Sequence, residues 1–116
     1  MRRGITAALA AVLAAASAAA FAQAPAGDAA RGKALFMQDM CWTCHGTEGH
    51  GGPYGPRLAP KPMPLEGLVS QVRHPRASMP PYDATFASDQ DLADIHAYLG
   101  SIRPGPKASD LALLKE

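Results

Sequence analysis

The sequence predicts a small all-α domain. Three observations carry that expectation. Three segments place apolar residues at helical spacing. Glycine and proline crowd the stretches between them. Nothing alternates strand with helix along the 116 residues.

The first helix is expected from Asp28 to Met40, with Asp28 as N-cap. Gly32, Leu35, Phe36 and Met40 fall on one face. Gly32 costs about 1 kcal/mol of helix propensity relative to Ala, and close approach of a second helix would offset it. The second helix is expected from Leu65 to Arg73, with Leu65, Leu68, Val69 and Val72 on one side. His74-Pro75 ends it, because a residue before proline is pushed out of the α region. Ser88 opens the last helix, and Asp91 three residues on resembles a capping box. Its stripe is Leu92, Ile95, Tyr98 and Leu99, and Pro104-Gly105-Pro106 stops it. Two loops join these helices. The one from His45 through Pro64 is long for a compact domain, which marks a segment wrapped around something.

Cys41-Trp42-Thr43-Cys44-His45 says what that something is. The spacing reads as a c-type haem attachment site, each thiol forming a thioether and the histidine serving as proximal iron ligand. A thioredoxin-like dithiol would need a βαβ setting. A zinc site would need four ligands, and His50, His74 and His96 lack paired ligand spacing. The two cysteines are the only ones in the chain, so no disulfide framework remains.

Residues 1–22 read as a cleaved signal peptide. Arg2 and Arg3 give the positive start, Ile5 to about Ala20 the apolar stretch, and Ala20-Phe21-Ala22 the cleavage pattern. The rival, an uncleaved anchor, falls short of the roughly 20 strongly apolar residues a span prefers. Gln23 then begins a mature chain of 94 residues, since 22 of 116 are removed. Its domain covers 23–106 and a tail covers 107–116. The expected location is the periplasm, outside a thiol-reducing cytosol, with no membrane span after cleavage. A domain this small needs a staple, and a covalent haem is one. Loss of Arg2 and Arg3 leaves 9 basic against 10 acidic residues. No basic run suggests nucleic acid.

The sixth iron position decides between electron transfer and ligand or substrate binding. A methionine there favours electron transfer and raises the potential. Met37 and Met40 precede the motif on the first helix and read as core packing. Met63 lies upstream of the middle helix. Met79 lies in the loop between the middle and last helices, stiffened by Pro80 and Pro81, and is favoured. For His50, His74 and His96 a structural role outweighs ligation.

With these features in place, the chain resembles the class I monohaem c-type cytochromes over residues 28–102. The motif, Met79-Pro80-Pro81, the Gly32/Phe36 pair and Tyr98 carry the resemblance. It implies three main helices wrapped around one haem, with the terminal helices crossing closely at Gly32. Gly55-Pro56-Arg57-Leu58 resembles the segment whose proline carbonyl accepts a bond from the proximal histidine's Nδ1, which makes Pro56 a cofactor-binding residue and Pro53 a weaker candidate. Arg57, Arg73 and Arg76 either pair with haem propionates or are solvated. The chain lacks the dense lysine ring of the longer mitochondrial type and looks closer to short bacterial cytochromes, including small subunits of periplasmic dehydrogenases and flavoenzymes. The resemblance implies an electron carrier working with redox protein partners such as a dehydrogenase, oxidase or reductase. A sixth position filled by Met79 leaves no room for substrate, so no catalysis of its own is expected. Two other readings stand beside it: an obligate cytochrome c subunit of a periplasmic dehydrogenase or flavoenzyme complex, and a haem sensor or peroxidase with a labile Met79.

Overall fold

The computed structural model describes residues 25–114, and over that range it is helical without strands. The expected signal peptide and its cleavage site lie outside the described residues. Helix α1 spans Ala29–Gln38, α2 is the single turn Trp42–His45, α3 spans Leu65–Arg73 and α4 spans Asp89–Ser101. Two 3-10 turns, Ala108–Asp110 and Ala112–Leu114, follow in the tail.

Each start signal works as its chemistry requires. The Asp28 carboxylate accepts from the Ala30 and Arg31 amides at 2.8 and 3.0 Å. Ser88 and Asp91 form a full capping box, the Ser88 hydroxyl accepting from the Asp91 amide and the Asp91 carboxylate from the Ser88 amide. Helix α3 ends at His74, as Pro75 demands.

Helix α1 stops two residues earlier than its pattern suggests. Met40 adopts a left-handed φ of +60°. The Met40 amide bonds back to the Met37 carbonyl and the Cys41 amide to the Phe36 carbonyl, both at 3.2 Å. That pair of bonds is the Schellman arrangement, normally built on glycine. Met37 and Met40 are accordingly not core residues: they are 39% and 59% exposed. The reversal delivers Cys41 onto the core instead.

The core is the crossing of α1 on α4, with α3 packed on α4. Phe36, Leu68, Leu92, Ile95, Tyr98 and Leu99 are buried there. Gly32 sits at the crossing. A Cβ on it would lie 1.9 Å from the Asp94 carbonyl oxygen, which is impossible without parting the helices. The Phe36 and Tyr98 rings meet at 5.6 Å, tilted by 56°, a favourable aromatic geometry. Asp94, 1% exposed, closes the same crossing. It accepts from the Asp28 amide at 2.8 Å, from Gln90 at 2.9 Å and from the Arg31 guanidinium. Arg31 also pairs with Asp91. Among the described residues, no buried side-chain nitrogen or oxygen lacks a partner.

Candidate functional site

The attachment motif occupies the turn after the Schellman reversal. Cys41 and Cys44 are free thiols, both half-buried. Burial, with Asp39 adding its charge, pushes the Cys41 thiol up to about 11. That position favours a neutral sulfur, and a thioether sulfur is neutral. The His45 ring, 9% exposed, is held by its Nδ1, which lies 2.8 Å from the Pro56 carbonyl oxygen. A carbonyl only accepts, so Nδ1 carries the proton and Nε2 keeps its lone pair for a metal.

The loop after the motif is shaped to let Pro56 reach the ring. Gly51 donates to the His45 carbonyl at 2.8 Å and Gly52 to the Gly55 carbonyl at 3.0 Å. A Cβ on Gly55 would sit 2.9 Å from His45 Nδ1 and 3.0 Å from the Cys44 carbonyl oxygen. Glycine there lets the backbone lie against the imidazole. These residues fit a c-type haem: two thiols, an oriented imidazole with a free Nε2, and a backbone cradle that a side chain would fill.

Met79 is half-buried in the loop between α3 and α4. The Gln71 amide nitrogen lies 4.0 Å from its sulfur. Arg76 Nε donates to Gln71 Oε1 at 3.3 Å, which turns the amide's N–H₂ end toward Met79. Sequence reasoning missed Gln71; its place on α3, eight residues before Met79, was the available signal. Met63 is 42% exposed beside α3, and its carbonyl is held by His96 Nε2 at 3.0 Å. His50 lies 3.5 Å from Glu48, and His74 is the exposed C-cap of α3. His74 lines an open cavity of about 320 Å³ with Met63, Gly67, Ser70, Gln71 and Arg76. The imidazole of His50 thus faces Glu48 and that of His96 the Met63 carbonyl. Among the described residues, no group of three His, Cys, Asp or Glu side chains clusters as a zinc site would.

Of the three arginines considered for propionates, Arg73 is already engaged within the protein. It donates to the Tyr82 carbonyl at 2.9 Å and to Asp89 at 2.7 Å. Arg57 and Arg76 are exposed, with long bonds to the His50 carbonyl and Gln71, both at 3.3 Å.

An all-α fold around an oriented Cys-x-x-Cys-His turn defines a small monohaem c-type cytochrome domain, consistent with class I. The chain belongs to the family described as "Cytochrome C oxidase, cbb3-type, subunit III", whose model matches residues 27–99. No curated protein matches it. Cys41 and Cys44 therefore attach haem c, and the protein is an electron-transfer protein that works with redox partners.

Proposed function

We propose that the protein is a periplasmic one-electron carrier whose haem iron is held by His45 and Met79. The 2.8 Å contact from His45 Nδ1 to the Pro56 carbonyl carries this reading. It fixes the tautomer, aims Nε2 and raises the basicity of the imidazole. When bound, the haem supplies the Fe(III)/Fe(II) couple. The protein's part is to orient His45, present the Met79 sulfur and keep water away from both. With two protein ligands no iron position remains for a substrate, so the protein has no catalysis of its own. The domain is residues 23–106, the tail 107–116, and residues 1–22 are the cleaved export signal. Export supports the chemistry, because the two thiols then meet haem outside the thiol-reducing cytosol.

Electrons pass near the Cys41–Cys44 turn. Around it Met37, Met40 and Trp42 are exposed, an apolar surface suited to the small, transient contacts of redox partners. The loop carrying Met79 adds to that surface.

The test is optical. The oxidised protein is expected to show the weak near-infrared band of methionine–iron ligation, and Met79→Ala is expected to abolish it while the haem stays attached. A band that survives Met79→Ala refutes the assignment.

A second reading makes the protein a permanent subunit of a larger oxidoreductase, such as a periplasmic dehydrogenase or flavoenzyme. The family's naming for an oxidase subunit favours some lasting assembly. Stoichiometric co-purification of a large subunit supports it; elution as a free monomer supports the mobile carrier.

A further inference from the structure

Tyr82 joins parts of the molecule that the haem chemistry must keep together. Its amide donates to the Val72 carbonyl at 3.0 Å, and its carbonyl accepts from Arg73 at 2.9 Å. Both bonds fasten it to the end of α3. Its hydroxyl donates to the Asp39 carbonyl at 3.1 Å. Asp39 is the C-cap of α1, two residues before Cys41. The last carbonyls of a helix have no intrahelical partner, so the hydroxyl fills a real vacancy in the backbone bonding. The ring packs on Phe86 at 5.4 Å and contacts the core cluster.

Met79 lies three residues before Tyr82, and the two between them are Pro80 and Pro81. Three residues reach at most about 10 Å. Two fixed proline φ angles leave the link few conformations. On its other side Met79 is tied more loosely. Ala77 has a left-handed φ of +58°, and Arg76 reaches Gln71 only at 3.3 Å from an exposed position.

We propose that Tyr82 is the latch that holds Met79 at the iron, its hydroxyl tying the methionine loop to the segment that carries the haem. In this role Tyr82 acts through Met79; it is a positioning residue. Opening the Tyr82–Asp39 bond frees the loop to swing with Met79, and the sixth position becomes available to an outside ligand. The inference rests on Met79 as the sixth ligand.

The test uses the oxidised, haem-loaded protein. Imidazole is added at concentrations where its binding is limited by departure of Met79, and the limiting rate is followed at the methionine–iron band. Tyr82→Phe keeps the ring and removes the hydroxyl. It is expected to leave the resting band in place and raise the limiting rate about fivefold, the factor set by one hydrogen bond of ordinary strength. Arg73→Gln is expected to raise it about threefold and keeps the test open if the Phe variant fails to accumulate with haem. Ile95→Ala, a core truncation on α4, is expected to lower the melting temperature with less than a twofold change in rate. A Tyr82→Phe rate within twofold of the parent overturns the latch while leaving Met79 as ligand. An equal acceleration in Ile95→Ala also overturns it, since global opening then sets the rate. Absence of the band from the parent protein overturns the Met79 reading, and the latch with it.

Discussion

At the scale of single residues, the site is built from a few side chains whose partners leave them one role each. His45 has one free nitrogen because Pro56 takes the other. Gln71 has its N–H₂ end toward the Met79 sulfur because Arg76 takes the oxygen. With Met79 on the iron as proposed, the positive end of that N–H dipole disfavours the extra positive charge of the oxidised iron, so it favours the reduced state. Gln71→Leu is therefore expected to lower the reduction potential by about 30–60 mV in protein-film voltammetry, a three- to tenfold change in the one-electron equilibrium. Met40 is a residue of a different kind, a strained one. It occupies the position after a helix C-cap where glycine belongs, and its side chain is 59% exposed. Met40→Gly removes the left-handed strain at little packing cost. A gain of about 0.5–1 kcal/mol is expected, read as a rise of a few degrees in melting temperature.

At the scale of elements, the crossing of α1 on α4 holds the domain. Periodicity and caps announced both helices, and the family resemblance carried by Gly32, Phe36 and Tyr98 implied that they touch. The end of α1 was not announced. Methionine is a good helix former, so Met40 read as helix, and only the packing of Cys41 against the core explains why the chain turns there. The one-turn helix α2 was equally hidden, since Trp42–His45 is too short to show a period. Gly32→Ala tests the crossing. Its Cβ would meet the Asp94 carbonyl oxygen at 1.9 Å. A loss of about 3 kcal/mol or more is expected, with most of the product failing to accumulate in the haem-loaded form.

At the scale of the whole molecule, one buried carboxylate ties the N-terminal side of the fold to the C-terminal helix. The Asp28 amide, then Gln90 and Arg31, hold the Asp94 carboxyl below its ordinary value. Asp91 is held low too, chiefly by the Ser88 hydroxyl. A depressed folded-state pKa adds stability that is present above the unfolded value near 3.8 and lost as pH falls through the folded value beneath it. Asp39 works in the opposite sense, because burial raises its pKa and its charged form costs stability at neutral pH. Acid unfolding should therefore lean on Asp94. Asp94→Asn is expected to cost about 1–3 kcal/mol at pH 7 by leaving buried donors poorly paired. The gap between parent and variant should shrink below pH 4, as thermal melts across pH will show.

Much of this protein was legible in its sequence because its chemistry is local. The haem motif needs five consecutive residues, the helix starts need a cap and its third neighbour, and the breaks need proline. Each is a short-range steric or hydrogen-bonding rule that holds before the chain folds. The tertiary structure decided what depends on residues far apart in the chain meeting in space. It chose the end of α1, sent Arg73 to Tyr82 and Asp89, buried Asp94 under the Asp28 amide, and set Gln71 beside Met79. Those choices follow from which surfaces exclude water together, and no spacing along the chain encodes that.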